Sequence, residues 1–512
     1  MAARFVATAS AVALALLAGF AAAAEPAARL DPREVRIEQV RCTIGTPPDD
    51  PAACFLAWLP MSWGAVDEAG RLPEDAPRVG VHLTVLSNPT RGGEPNPVVV
   101  LAGGPGQAAS DMIETWGPAL EQRRSRSVVL VDQRGTGRSV PSLACPDIPA
   151  TLLDGNRFDN PGFAPAGTLV DELRACRAAL VADGVALDAF DTRAAALDLA
   201  AIRRALGFSR WNLVGTSYGA KLALETMRVD VDGIRAVVLN SPLPVTPDRD
   251  GALVAVRPQL IEQLIVDCAA DGYCAETYGD LGERLRRIEA RLAEAPLQAT
   301  FPDPETRAPT RVEIGWPDVV SMIAGKMAFI PPSRTLPRSI AALDGLLRGR
   351  IALTDAQLAE IFGVGGPPPF DGMAAGLHLS VRCREDVPFF DEGRMMEAVG
   401  DGFWFAGGVP NAVYAEICPV WDVPAASEPA APVESAIPTL VLTGDADPLT
   451  PTRWAREIVG TLPNAQLVSF RGQAHDLLAS LACARLLAAN FLDAPDAPVD
   501  AGCLEPIRPF FE

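Results

Sequence analysis

Histidine is scarce in this chain. The 512 residues hold three, His82, His378 and His475, and no Cys-x-x-Cys pair. The ligand clusters from which zinc and similar metal sites are built are therefore missing. Cationic residues are also in short supply: 44 Lys and Arg face 64 Asp and Glu, for a net charge of −20. A surface of that sign repels phosphate backbones, which argues against nucleic acid as a partner, and it favours solubility. Long apolar runs are missing beyond the N-terminus. There, Arg4 precedes an apolar and small-residue run over 5–20, and Ala22-Ala23-Ala24 offers a small-x-small cleavage site. The run is rich in alanine and short for a span of about 20 strongly apolar residues. Residues 1–24 thus read as a cleaved export signal that leaves no stable membrane anchor, and no cysteine follows the run to carry a lipid.

Cysteine is what the sequence does have. The ten are Cys42, Cys54, Cys145, Cys176, Cys268, Cys274, Cys383, Cys418, Cys483 and Cys503. An even number in close sequential couples fits disulfides between sequence neighbours in an oxidising compartment, periplasmic or extracellular, although spacing alone does not fix the pairing.

Short apolar runs bounded by Gly, Pro and Asp recur at 79–86, 97–101, 127–131, 211–214, 236–239, 439–442 and 466–470. They suit strands buried on both faces. Helical spacing at 193–206 and 220–228 falls between some of them, which predicts an α/β fold with a mostly parallel sheet flanked by helices. The alternation breaks between 249 and 435, where helical patterns (259–268, 281–293), a GGPPP run at 365–369 and few strand-like runs predict a mainly helical cap inserted between late core strands. The expected organisation is signal 1–24, core 25–248, cap 249–435 and core again over 436–512.

Gly215-Thr216-Ser217-Tyr218-Gly219 is a G-x-S-x-G sequence between a buried strand and a helix, the setting of the nucleophile in the α/β-hydrolase fold. A sharp turn lifts a serine hydroxyl to the mouth of the sheet, and small flanking residues let the backbone cross closely. In this fold the acid and then the histidine follow the serine. His82 comes too early and His378 lies in the insertion, so His475 is left as the base. The acid comes from the loop after the preceding strand, where Asp445 and Asp447 both qualify. Asp447, beside Pro448, is preferred, with Asp445 as a turn former. An oxyanion hole needs backbone donors. The N–H of Tyr218 and the glycine loop at Gly103 and Gly104 can supply them. A phosphate-binding loop is excluded there because no Gly-Lys-Ser/Thr follows.

GGPG at 103–106, DQRGTGRS at 132–139, GTSYG at 215–219 and GDADPLTP at 444–451 occur in this order. Together they resemble the proline iminopeptidase and tripeptidyl aminopeptidase family of α/β-hydrolases, which are serine exopeptidases. The tripeptidyl branch is the more similar, through CFLAWLP at 54–60 and through the tail around Cys483 and Cys503. The resemblance implies Ser217, Asp447 and His475 as the triad, donors from Gly103 or Gly104 and from Tyr218, and disulfides Cys42–Cys54 and Cys483–Cys503. No metal or organic cofactor is implied. Two departures stand out: Ala102 replaces the His or Pro of many relatives, and Met61-Ser62-Trp63 replaces an aspartate and tyrosine.

Such enzymes act on peptide substrates with free N-termini, and an ammonium group calls for carboxylates at the end of the pocket. Glu385, then Asp386, in the run Cys383-Arg384-Glu385-Asp386, are the candidates by position in the cap. A solvated acidic turn is the plainer alternative. The expected function is thus an exported serine aminopeptidase. An exported carboxylesterase with the same triad, or a non-catalytic binding protein on the same scaffold, are the rivals.

Overall fold

The computed structural model describes residues 29–44, 52–87, 96–113, 126–146, 148, 166–245, 249–302, 308–328, 332–364, 372–391 and 412–504. The expected export signal and the GGPPP run lie outside the described residues.

A nine-stranded sheet forms the centre: β1 (Arg36–Val40), β2 (Ala52–Pro60), β3 (Arg78–Leu86), β4 (Val98–Leu101), β5 (Val128–Asp132), β6 (Trp211–Thr216), β7 (Ile234–Asn240), β10 (Thr439–Gly444) and β11 (Ala465–Phe470), while β8 (Leu297–Pro302) and β9 (Pro309–Ile314) pair elsewhere. Strand order is β1-β2-β3-β5-β4-β6-β7-β10-β11. The pairings β1–β2, β2–β3 and β3–β5 are antiparallel, and the rest of this sheet is parallel. Each apolar run named above forms a strand. The lead-in also forms two: β1, a half-exposed edge strand of mixed residues, and β2, an apolar strand between β1 and β3.

Alternation assigns the core. Val99, Leu101, Val129, Val131, Leu213, Val237, Leu239 and Val441 face helices Thr192–Ala205 and Tyr218–Val229. Their neighbours Val98, Val100, Val128, Leu130, Val214, Val238, Leu440 and Leu442 face helix Ala482–Asp493. Successive strand residues point to opposite faces, so a strand covered on both sides must be apolar throughout.

The chain between β7 and β10 has two parts. The first has its own core. In helix Leu281–Glu294, Leu281, Leu285, Ile288 and Leu292 recur at helical spacing and are buried, and Asp280 caps the first turn by accepting the Glu283 N–H. Burying each such side chain contributes about 1.5–3 kcal/mol. This part also contains the β8–β9 hairpin, so it is not wholly helical. The second part, from Met373 to Trp421, packs Leu377, Tyr414 and Trp421 into the same core as the sheet and helix Thr192–Ala205. Five disulfides join sequence neighbours: Cys42–Cys54, Cys145–Cys176, Cys268–Cys274, Cys383–Cys418 and Cys483–Cys503. Among the described residues, no helix is long and apolar enough to cross a membrane.

Candidate active site

The turn after β6 is tight. Ser217 sits at φ 57°, ψ −119°, a region that non-glycine residues rarely occupy. It is half-buried, while its neighbours from Trp211 to Met227 are all buried. The flanking glycines make the turn possible. A Cβ on Gly215 would overlap the Gly219 carbonyl, and one on Gly219 would overlap that of Leu101. The strain is held in place because the Ser217 N–H donates to the Asn240 carbonyl at 3.0 Å.

Asp447 and His475 meet across the loops that follow β10 and β11. His475 Nδ1 lies 2.8 Å from Asp447 Oδ2. The carboxylate also accepts the Leu449 N–H (2.8 Å), the Thr450 N–H (2.9 Å) and the Thr450 hydroxyl (2.7 Å). An ionised carboxylate only accepts, so Nδ1 carries the proton and Nε2 is left as the basic nitrogen. Burial pushes the His475 imidazole down, but Asp447 outweighs it and raises the group above its usual range. Asp445 serves the turn instead, since its carboxylate accepts the Gly472 N–H at 2.6 Å and so ties the histidine loop to β10.

The glycine loop lies against the elbow. A Cβ on Gly103 would stand 3.2 Å from the Ser217 Cβ, and Gly104 holds φ 104°, which only glycine adopts readily. The Tyr218 side chain points away, its hydroxyl 3.0 Å from that of Thr192, so Tyr218 can offer the site only its N–H, one of the unpaired donors of a helix start. The insertion grips the loop: Ala374 N–H donates to the Gly106 carbonyl at 2.9 Å, and His378 Nδ1 lies 3.1 Å from the Pro105 carbonyl. A carbonyl can only accept, so His378 carries its proton on Nδ1 and takes the Tyr414 hydroxyl proton, at 2.7 Å, on Nε2.

A family profile described as the alpha/beta hydrolase fold matches residues 96–480. This chain belongs to the α/β-hydrolase fold family. Among curated relatives, serine protease Hip1 of Mycobacterium tuberculosis is 23% identical over 440 residues, covering 77% of this chain and 78% of that protein. Carboxylesterase B of the same organism is 26% identical over 426 residues, covering 77% and 76%. A solved proline iminopeptidase of Mycobacterium smegmatis aligns with 18% identity and a TM-score of 0.36, over 82% of this chain and 96% of that one.

In this α/β-hydrolase the DQRGTGRS block is a brace. Arg134 makes a paired contact with Asp198 (2.7 and 2.6 Å) and donates to the carbonyls of Met61 and Ala189. Asp132 accepts the Ser110 N–H and hydroxyl and the Arg138 N–H. The departure at Trp63 is accommodated, since its indole N–H donates to Asp198 at 3.1 Å.

Glu385 and Asp386 are neither a solvated turn nor unengaged. They lie in a wide π-helical turn, Arg382–Asp386, against Lys221, one of only two lysines in the chain. Lys221 Nζ stands 2.9 Å from each carboxylate. Glu385 further accepts the Thr192 N–H (2.7 Å) and hydroxyl (2.6 Å), and Arg382 pairs with Asp386 at 3.0 Å. Arg384 pairs with Asp191 at 3.1 Å. Burial alone would push the Lys221 ammonium down, but Asp386 and Glu385 hold it above the usual lysine range. Among the described residues Lys221, Arg382 and Arg384 lie against Glu385, Asp386 and Asp191, so both candidate carboxylates are engaged by cations. Sequence reasoning misses Lys221 because its partners lie 164 and 165 positions away. It also misses Thr450, whose signal is present: a hydroxyl three residues after the acid in a tight turn.

Proposed function

We propose that this chain is an exported serine aminopeptidase that hydrolyses peptide bonds near free N-termini. Ser217 attacks the scissile carbonyl while His475 Nε2 takes its proton. Asp447 orients the imidazole and stabilises its charged form, and Gly103, Gly104 and Tyr218 donate N–H groups to the oxyanion. His475 then protonates the leaving amine and activates water to release the acyl group. The observations that carry the hydrolase reading are the His475–Asp447 pair at 2.8 Å and a serine held at φ 57° on the turn after β6. The peptidase reading is supported by the ordered set of four motifs and by the name of the Hip1 relative, a serine protease. Export is supported by five disulfides.

A carboxylesterase is the second reading, favoured by the engagement of Glu385 and Asp386 with Lys221 and by the name of the carboxylesterase B relative. The test is a matched panel of proline, alanine and tripeptide amides, free and acetylated at the N-terminus, with a short acyl ester. Cleavage of the free-amine amides, lost in Ser217→Ala, supports the aminopeptidase. Cleavage of the ester alone moves the protein to the esterases.

A further inference from the structure

We infer that Asn240, with Ser241, is a positioning clamp that sets the distance between the nucleophile and the base, an inference that rests on the triad proposed above. Asn240 ends β7, which lies between β6, the strand leading to Ser217, and β10, the strand leading to Asp447. Its main-chain carbonyl accepts the Ser217 N–H at 3.0 Å. Its side-chain Nδ2 donates to Thr216 Oγ1 at 3.0 Å and to Asp476 Oδ1 at 2.8 Å. The next residue continues the grip: Ser241 Oγ accepts the Asp476 N–H at 3.1 Å. Two adjacent residues thus hold the backbone at the nucleophile and the residue that follows the base.

The residues held are under conformational constraint. Asp476 sits at φ 58°, ψ 69° and Ser241 at φ 46°, and such left-handed positions persist only where their surroundings over-determine them. At Asp476 the constraint comes from the Asn240 amide, from Ser241, and from the Ala479 N–H that its own carboxylate accepts at 3.3 Å. Without it the peptide carrying His475 would be free to turn toward the ordinary helical region and carry the imidazole with it.

The amide itself shows that its donors are what matter. Asp476 Oδ1 accepts the Ala479 N–H as well as the Asn240 amide, so Nδ2 faces it and the Asn240 Oδ1 faces away. Oδ1 is then buried with no hydrogen-bond partner among the described residues. A buried acceptor left unpaired is costly, and a side chain serving only to fill space would avoid that cost. Proper alignment of nucleophile and base is worth about 100-fold in rate per ångström of misplacement, so the effect should fall on the chemical step.

The experiment compares wild type, Asn240→Asp, Ser241→Ala and the swapped pair Asn240→Asp/Asp476→Asn. For each, the rate of fluorophosphonate labelling, kcat and KM on the best substrate of the panel, and thermal melting are measured at pH 8, with rates normalised to folded protein. Asn240→Asp sets two carboxylates face to face and should lower labelling and kcat by about 100-fold, with KM within about twofold. The swap restores one donor and one acceptor and should recover most of the lost rate. Ser241→Ala should give a smaller loss in the same direction, which keeps the test alive if Asn240→Asp does not fold. Wild-type rates in folded Asn240→Asp or Ser241→Ala, or loss confined to melting temperature, would overturn the clamp. Failure of wild type to label would instead overturn the triad on which it rests.

Discussion

Asp447 and Asp386 are both almost fully buried aspartates in α/β-hydrolase loops, 1% and 2% exposed, yet their partners differ in kind. Asp447 is held by two backbone N–H groups, one hydroxyl and an imidazole that can take or release a proton. Asp386 faces Lys221 and Arg382, cations that stay charged. A carboxylate set against neutral donors and one titrating base leaves its charge available when that base becomes cationic. A carboxylate set against permanent cations has its charge already matched, and it serves to join the insertion to the helix behind Ser217. Burial and residue type are the same in both places, and the partners differ.

The comparison breaks most sharply under amide substitution. Asp447→Asn should cost about 10⁴-fold in kcat by favouring the wrong imidazole tautomer, whereas Asp386→Asn should leave kcat per folded molecule within a few-fold. Steady-state kinetics on folded, active-site-titrated protein measures both. Next, Lys221→Met leaves two buried carboxylates short of a cation and should destabilise the fold by about 3–5 kcal/mol in urea denaturation. Lys221→Met/Glu385→Gln should recover part of that loss, since Asp386 keeps Arg382. Thr450→Val removes one neutral donor from Asp447 and should lower kcat about tenfold with KM little changed.

The pH profile sharpens the contrast further. Catalysis needs neutral His475, so kcat/KM should fall as pH drops through the imidazole pKa. That limb should lie above the usual histidine value near 6.5, because Asp447 stabilises the charged ring. Asp447→Asn should move the limb to lower pH, and Asp386→Asn should not. The smallest effect is expected at Glu385. With its charge matched by Lys221, Glu385→Gln should leave the KM ratio of free to acetylated peptides within about twofold of wild type. A selective rise in KM for the free amines would return Glu385 to the ammonium role.

The strands were legible because a sheet covered on both faces forces continuous apolar runs, and residues such as Val98 to Leu101 have no polar alternative. The elbow was legible because Gly215 and Gly219 answer a local steric demand. The contact between His475 and Asp447 could be expected from chain order, since the fold sets their sequence. Edge strand β1 was not legible, because half-exposed positions tolerate mixed residues. The fate of Glu385 was hidden for a different reason. Its environment is made by Lys221 and Thr192, brought from distant elements by packing, and no local pattern encodes a pairing across 164 and 193 positions. The division of the insertion was equally hidden, because apolar residues such as Leu377 and Trp421 do not announce which core they join.

If Ser217 is a nucleophile made reactive by His475 and Asp447, active-site labelling must find it. The mature protein is treated with a fluorophosphonate, and the adduct is located by peptide mapping in wild type and in folded His475→Ala. The account predicts one adduct, on Ser217, formed rapidly in wild type and lost in the variant. An adduct on another residue, equal labelling of the variant, or no adduct on folded wild type would contradict it.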